Sequence, residues 1–311
     1  MPMMRSVLIA LSRSRALQNA VVHIPFSRRM ARRFVAGESL PDALAVVQQL
    51  NAQGVAATLD HLGENVASED EAWTAANEYL LALDAIYLAD ADSNVSIKLT
   101  QMGLDLGQAF CYENMKRIIS KAAECGNFVR IDMEGAEYTE RTIALYRLLR
   151  REFDNVGIAV QSYLYRSQSD VEALIAEGIG HFRLMKGAYD EPESIAYKEH
   201  DQVTQAMNRL VSTCLAANSL ARGTYCAVAS HDEHVINFTR ALVYQQDVPR
   251  HAYEFQMLYG IRRELQAQLV REGDKVRVYV PYGTHWYPYF MRRLAERPAN
   301  LLFFLRALVG D

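Results

Sequence analysis

Hydrophobic residues form two kinds of segment that alternate along the chain. Short runs rich in Val, Ile, Tyr and Phe are separated by longer segments in which apolar residues recur with helical spacing. The short runs predict eight β-strands, at residues 54–59, 95–99, 128–132, 156–164, 181–185, 224–229, 252–257 and 276–280. Strands that alternate with helices in this way are typical of a parallel sheet.

The longer segments carry helix signals of their own. Ser68 and Glu71 have the spacing of a capping box. Apolar residues then follow at steps of three and four, at Trp73, Ala76, Leu80, Leu83 and Tyr87. Further helices are predicted over residues 105–125, 138–153, 168–177, 194–221, 232–246 and 258–272.

Eight strands alternating with helices predict an α/β protein with a TIM-type (βα)8 barrel. We assign the barrel to residues 51–311 and an amino-terminal helical arm to residues 1–50, with the last helix lying over the barrel mouth. A doubly wound sheet is disfavoured because no G-x-G-x-x-G motif follows any predicted strand.

Charge is distributed unevenly along the chain. The formal net charge is −4, yet residues 1–37 contain seven Arg and no acidic residue. Such a segment is typical either of a basic amphipathic or targeting segment or of a helical arm with a solvated basic face. The acidic remainder argues against nucleic acid as a partner, since phosphate binding needs a sustained basic surface.

Two absences in the sequence bear on location. No run of eighteen apolar residues occurs, so no membrane-spanning helix is predicted. The four cysteines form no C-x-x-C pair, which fits a reducing compartment. We therefore expect a cytoplasmic protein, with peripheral contact to the inner face of the cell membrane as a further option.

The barrel prediction places polar residues together. Catalytic groups on this fold lie at the carboxyl ends of the strands. Those ends carry Asp60, His61, Glu64, Lys98, Asp132, Glu134, Gln161, Arg183, Lys186, Ser230, His231, Glu254, Gln256, Tyr279 and Gly283. The sequence therefore predicts a charge-rich active-site mouth.

Lys98 at such an end allows two chemistries. It could form a Schiff base, as in barrel aldolases, or remain a cation that binds a carboxylate. In the last segment, Tyr289, Arg292, Arg293 and Glu296 would share one helix face. That face is either a solvated charged surface or, after the eighth strand, a binding site for a small carboxylate.

A metal site is not expected. His61, His231 and His285 show no H-x-H or H-x-x-x-H spacing, and hydrogen bonding to a cofactor explains one His per strand end equally well.

Several strand-end motifs resemble those of the proline dehydrogenase family. They are SIKL at 96–99, RLMKGAY at 183–189, YEFQ at 253–256, YVPYGTH at 279–285, and Tyr289-x-x-Arg292-Arg293-x-x-Glu296-x-x-x-Asn300. The resemblance covers roughly residues 54 to 304, in the family's order, and is to the short bacterial monofunctional form.

The resemblance implies a distorted (βα)8 barrel that holds FAD and oxidises L-proline to 1-pyrroline-5-carboxylate. It also implies a membrane quinone as electron acceptor and transient docking with 1-pyrroline-5-carboxylate dehydrogenase. Implied substrate-binding residues are Lys98, Leu258, Tyr279, Tyr289, Arg292 and Arg293. Asp132 and Arg183 are the implied catalytic residues, and Glu64 is implied to pair with Arg292 as a gate.

The resemblance likewise implies a set of flavin contacts. They are Met133, Gln161, Arg183, Lys186, Gly187, Ala188, Thr224, Tyr225, Ser230, His231, Gln256 and Glu296. The chain departs from the family at Asp232, where Asn is expected, and at Trp286, where a polar residue is usual. A Lys98 aldolase remains the alternative enzyme, and a barrel without catalytic activity is a third hypothesis.

Overall fold

Eight parallel strands close into a barrel in the computed structural model, which describes residues 30–296. The strands are β1 (Ala56–His61), β2 (Ser93–Ile97), β3 (Val129–Ile131), β4 (Val156–Gln161), β5 (His181–Met185), β6 (Tyr225–Ala229), β7 (Tyr253–Leu258) and β8 (Val276–Tyr282). Each strand pairs with its neighbours in sequence, and β1 pairs with β8 from Ala56 opposite Arg277 to His61 opposite Tyr282. The predicted TIM-type barrel is confirmed.

Helices surround this barrel. They are α1 (Leu40–Asn51), α2 (Glu69–Leu88), α3 (Gln108–Glu124), α4 (Ala136–Arg150), α5 (Ser167–Ala176), α6 (His200–Leu215), α7 (Ala217–Ala221), α8 (Glu233–Gln245), α9 (Arg263–Arg271) and α10 (Trp286–Glu296). In the described residues, no helix combines the length and the apolar character needed to cross a bilayer.

The strands separate apolar from polar side chains. Successive side chains of a strand point to opposite faces. The large core between sheet and helices includes Val95, Ile97, Val129 and Ile131. Arg130 lies between Val129 and Ile131 on β3, and its Nη1 donates to the carbonyls of Ile158 on β4 and His181 on β5. The interior of this barrel is therefore rich in hydrogen-bonded polar groups, although barrel interiors are usually filled by branched apolar residues.

Several element boundaries differ from the prediction, three elements among them in the following way. The strand predicted over 156–164 ends at Gln161, and the helix predicted over 258–272 begins only at Arg263. The helix predicted over 194–221 starts at His200 and is interrupted at Ala216, whose extended backbone (φ −63°, ψ 144°) separates α6 from α7. Apolar periodicity continues through such local breaks, so it does not reveal them.

Helix α2 begins as predicted and buries the middle of the predicted apolar face but not its two ends. The Glu71 amide donates to Ser68 Oγ at 3.2 Å. Trp73 and Tyr87 are 44% and 63% exposed, whereas an alanine-rich face with Tyr79 is buried. The prediction was therefore right for Ala76 and Leu83 and wrong for Trp73 and Tyr87, because small alanines let a helix approach the sheet more closely.

The described part of the amino-terminal arm lies against the barrel. Helix α1 crosses the predicted boundary at residues 50/51, and its Ala43 and Val47 join the main core. Phe34 and Val35 pack with Trp286 and Phe290 of α10 in a second cluster. The remainder of the arm, residues 1–29, lies outside the described residues, as do residues 297–311 with Asn300.

Candidate active site

Asp132, just after β3, is the centre of a buried polar network. Its Oδ1 accepts from Ser96 Oγ at 2.7 Å and from Arg183 Nη1 at 2.5 Å, and its Oδ2 accepts from Tyr279 Oη at 2.8 Å. These groups come from four strand segments, which only barrel closure brings together. A carboxylate with three donors acts as an anchor for its neighbours.

Lys98, after β2, is held by a second buried carboxylate. Its Nζ lies 3.0 and 3.1 Å from the two Asp60 oxygens and 3.9 Å from Asp132 Oδ2. Burial alone would lower the pKa of Lys98, but Asp60 and Asp132 outweigh burial and raise this pKa above the ordinary lysine value. Lys98 is therefore an ammonium ion, unsuited to attack a carbonyl.

Arg183 projects from the middle of β5 toward Asp132. Its Nη1 also donates to Ser96 Oγ at 2.8 Å, and its Nε donates to Gln256 Oε1 at 2.6 Å. The guanidinium carbon lies 5.3 Å from the Tyr279 ring centre. Arg183 Nη2 is buried and has no hydrogen-bond partner in the described structure, so one donor of this cation is available to a ligand.

The predicted Tyr289, Arg292 and Arg293 face does form on α10. Arg293 lies with its guanidinium carbon 5.1 Å from the Tyr289 ring centre, and both side chains are buried. Arg292 Nη1 lies 3.3 Å from Glu64 Oε1 on the loop after β1. The contact expected between Glu64 and Arg292 is thus present, and it joins α10 to the barrel mouth.

A second group of predicted residues lies around the loop after β5. Lys186 Nζ contacts Asp232 Oδ2 at 2.5 Å and Thr204 Oγ1 at 2.7 Å. Gly187 has φ +118°, and a Cβ there would lie 2.5 Å from the Tyr163 ring. Only glycine therefore fits this turn.

Gln161, at the end of β4, connects two loops of the mouth. Its Nε2 donates to the Glu134 carbonyl at 2.8 Å, and its Oε1 accepts from the Ala188 amide at 3.4 Å. Met133, in the same β3 to α4 loop, is buried.

The ends of β6 and β7 meet at His231. Its Nε2 accepts from the Leu258 amide at 3.2 Å, and Ser230 Oγ accepts from the Asp232 amide at 3.1 Å. Ser230 also donates its own amide to the Gln256 carbonyl at 3.2 Å. Four of the predicted residues are thereby placed along one side of the mouth.

Thr224 and Tyr225 are not brought to the mouth, which corrects their inclusion among the flavin contacts. Tyr225 begins β6 and stacks on His181, the first residue of β5, with ring centres 4.5 Å apart. At about 3.3 Å per residue, the six residues from Thr224 to Ser230 span about 20 Å. Both residues therefore belong to the opposite end of the barrel. The side chain of Glu296 lies outside the described residues.

Comparison with known proteins agrees with this geometry. The family model described as "Proline dehydrogenase" matches residues 43–306. The chain belongs to the proline dehydrogenase family. It is 41% identical to proline dehydrogenase 1 of Bacillus subtilis subsp. natto, over 99% of both chains, and 41% identical to proline dehydrogenase of Deinococcus radiodurans, over 90% of both.

Solved structures give the same result for the fold. The structure of proline utilization A from Bdellovibrio bacteriovorus, inactivated by N-propargylglycine, superposes with a TM-score of 0.81 at 25% identity. The match covers 87% of this chain and 33% of that one. The matched part of this chain therefore spans about a third of the length of that protein.

Sequence reasoning gave no role to several groups of this site. Asp60 was predicted to lie at the mouth but had no assigned role, and Ser96 was not assigned to the site, although they hold Lys98, Asp132 and Arg183. Thr204, in α6, carried no sequence signal, because only the fold brings it to Lys186. Tyr189, inside the RLMKGAY motif, has a pKa raised by burial and influenced by the charges of Arg292 and Glu64.

Glu134 was likewise predicted to lie at the mouth without an assigned role. Its carboxylate accepts from the backbone amide of Thr100 at 3.1 Å and is almost fully buried. Burial raises the pKa of Glu134 to about 7, against the lowering influence of its Thr100 hydrogen bonds. Among residues 30–296, no cluster of three or more His, Cys, Asp or Glu side chains could hold a metal ion.

Proposed function

We propose that this protein catalyses the FAD-dependent oxidation of L-proline to 1-pyrroline-5-carboxylate and passes the electrons to a membrane quinone. Family membership supports the substrate and the reaction. The observation that carries the proposal is the pair of guanidiniums, Arg292 and Arg293, which α10 holds beside a mouth lined by Tyr279, Tyr289 and the Lys98 ammonium.

Arg292 and Arg293 bind the carboxylate of L-proline. A guanidinium matches a carboxylate bidentately, and the tyrosines with Leu258 provide apolar surface for the pyrrolidine ring. Glu64 neutralises Arg292 when no substrate carboxylate is present. A substrate must therefore displace Glu64 from Arg292, which gives the ion pair the role of a gate.

The residues at the mouth fit a flavin. Arg183 presents an unpartnered buried donor, Nη2, and Lys186 is a second cation on the same strand end. Residues that would hold the cofactor are Met133, Gln161, Arg183, Lys186, Gly187, Ala188, Ser230, His231 and Gln256. Flavin would supply the acceptor for the hydride lost from the ring carbon next to the substrate nitrogen.

The remaining catalytic contribution of the chain is positioning. Asp132 holds Arg183 and Tyr279 by direct hydrogen bonds, so the site is organised before substrate arrives. Lys98 stays a cation that reinforces binding of an anionic substrate. The Lys98 aldolase is not favoured, because a Schiff base requires a neutral amine and the two aspartates keep this lysine charged.

An anaerobic visible spectrum of the purified protein, taken before and after addition of L-proline, tests the proposal. We expect an oxidised flavin spectrum that bleaches with L-proline. Flavin that stays oxidised would contradict L-proline as the substrate. A colourless protein that takes up no added FAD would overturn the proposal entirely.

Electron transfer to a quinone requires contact with a membrane surface. The basic segment at residues 1–37 is the part of the chain that we assign to this contact, as a peripheral attachment. The product, 1-pyrroline-5-carboxylate, passes to a separate dehydrogenase by transient docking.

A further inference from the structure

A chain of four buried polar side chains leads from the active-site mouth into the barrel. Arg183 Nε donates to Gln256 Oε1 at 2.6 Å, and Gln256 Nε2 donates to Glu254 Oε1 at 2.6 Å. Arg277 Nε then donates to the same Glu254 oxygen at 3.0 Å. All four residues are at most 8% exposed, so water does not compete for these bonds.

The chemistry of the two ends fixes the direction of the Gln256 amide. A guanidinium only donates hydrogen bonds, and an ionised carboxylate only accepts them. Gln256 must therefore point its oxygen at Arg183 and its nitrogen at Glu254. Burial would raise the pKa of Glu254, but the charges of Arg277 and Lys275 and the hydrogen bonds from Gln256 and Tyr225 together outweigh burial and lower this pKa, so the carboxylate is ionised at neutral pH.

The orientation of Gln256 matters because Arg183 has few other fixed partners. Its Nη1 is held by Asp132 and Ser96, whereas Nη2 has no partner in the described structure. Gln256 is thus the group that fixes the Nε side of the guanidinium. A reversed amide would place an NH2 group against Nε, and two opposed donors would push the guanidinium away.

We propose that Glu254 is a positioning residue for the redox reaction: by fixing the Gln256 amide it aims the Arg183 guanidinium at the flavin and raises the midpoint potential of the flavin. This inference rests on the proposed function. A fixed cation next to the cofactor favours reduction, because reduction adds negative charge. Glu254 itself touches neither substrate nor cofactor, since it lies at the second residue of β7, deep in the barrel.

A positioning role and a purely electrostatic role of Glu254 predict shifts of the flavin midpoint potential in opposite directions, which makes the inference testable. Removal of a buried negative charge would, by simple electrostatics, raise the flavin potential. Loss of the Arg183 orientation would instead lower it. Glu254→Leu removes both the charge and the hydrogen-bond acceptor, so the sign of the shift in this variant separates a positioning role from a purely electrostatic one.

The experiment is a reductive titration of the flavin, monitored with a redox dye, in the wild type and in Glu254→Leu. We expect a more negative midpoint potential in the variant and a rate of flavin reduction by L-proline lower by roughly tenfold or more, as for a slightly misplaced catalytic group. A more positive or an unchanged potential would overturn the inference.

A second variant covers the case in which Glu254→Leu fails to fold. Arg277 would then lack its carboxylate, and an unpaired buried charge is strongly destabilising. Glu254→Leu combined with Arg277→Leu removes both charges and the acceptor of the Gln256 amide, so the negative shift should persist. The matched control is Glu272→Leu, which breaks an exposed pair with Arg240 and should leave the potential unchanged.

The outcome also separates this inference from the proposed function. The dye titration does not depend on L-proline, so it reports on Glu254 even if another amine is the substrate. A wild type that bleaches with L-proline while Glu254→Leu keeps its potential would sustain the function and overturn the positioning role. A wild type that takes up no flavin would overturn both.

Discussion

The protonation states of single residues around the mouth follow from the groups that they face. Lys98 and Glu134 are both buried, but burial determines the direction of the pKa shift only for Glu134. Two aspartates keep Lys98 charged, whereas the hydrogen bonds of Thr100 do not offset the burial of Glu134. Burial therefore determines the charge state of a group only where the nearby charges and hydrogen bonds are too weak to oppose it.

The raised pKa of Glu134 predicts a pH dependence of stability. The folded-state pKa of about 7 exceeds the ordinary value of 4.5, so the folded state binds the proton more tightly than the unfolded state. This contribution to stability is complete below about pH 4.5 and is lost as the pH rises through 7. The loss amounts to about 3 kcal/mol.

Glu134→Gln should remove this dependence. Glutamine can keep both contacts with Thr100, because the threonine hydroxyl can accept as well as donate. Chemical denaturation between pH 5 and 8 should show a steeper decline of the free energy of unfolding in the wild type than in the variant. Glu193→Gln, on an exposed residue, is the control. Parallel curves for the wild type and Glu134→Gln would contradict the assignment.

The arginines of α10 should differ in what they contribute. Arg292→Ala should weaken L-proline binding by roughly 2–5 kcal/mol, because the substrate carboxylate loses its partner. Bound flavin should be retained. Arg293→Ala should weaken L-proline binding less than Arg292→Ala does. It should also lower the free energy of unfolding, because the Arg293 guanidinium packs over Tyr289 inside the protein.

Steady-state kinetics and thermal unfolding, measured on the same samples, check this difference. The increase in KM should exceed the decrease in kcat for Arg292→Ala. Arg147→Ala removes a guanidinium that pairs with the exposed Glu177, and it should leave KM unchanged. An unchanged KM in Arg292→Ala would argue against carboxylate binding by this residue.

Secondary-structure elements differ in how well local sequence specifies them. The start of α2 is encoded by Ser68 and Glu71, whose hydrogen bond needs no tertiary contact. The buried face of α2 is not encoded in this way. It depends on the distance to the sheet, which favours alanines and Tyr79 over Trp73.

The cap of α2 supports a prediction at this scale. Ser68→Ala removes the acceptor of the Glu71 amide and should lower the free energy of unfolding by about 1 kcal/mol. Urea denaturation with unchanged m-value measures the effect. Ser68→Asp, which keeps an acceptor at this position, should stay close to the wild type. Equal losses in the two variants would show that the cap is not the cause.

The whole molecule combines an acidic body with a basic segment. Residues 1–37 contain seven Arg, although the formal charge of the whole chain is −4. If this segment provides the peripheral membrane contact, binding must be electrostatic and sensitive to salt.

Co-sedimentation of the full chain with liposomes tests this expectation. Binding should require anionic lipid and should fall as the salt concentration rises from about 0.05 to 0.5 M, where the Debye length shortens severalfold. Vesicles of neutral lipid are the control. Binding that is independent of lipid charge would remove the electrostatic contact from the proposal.

The sequence alone determined the order of elements, the closed barrel class and most of the residues at the mouth. Period-two and helical patterns are local properties, and a parallel barrel places every strand end at one edge. That is why Lys98, Asp132, Arg183 and Arg292 could be assigned to one site before the structure was known. The family motifs predicted its chemistry.

Tertiary structure decided which of these groups touch and which residues lie elsewhere. Thr224 and Tyr225 lie at the start of β6, at the end of the barrel opposite the site, and Thr204 joins Lys186 from a separate helix. Glu254 was predicted at the mouth, but it lies near the start of β7 and reaches the site only through its bond to Gln256. Hydrogen bonds and pKa values depend on distances of a few ångströms between residues far apart in the chain, and such distances arise only when the barrel closes.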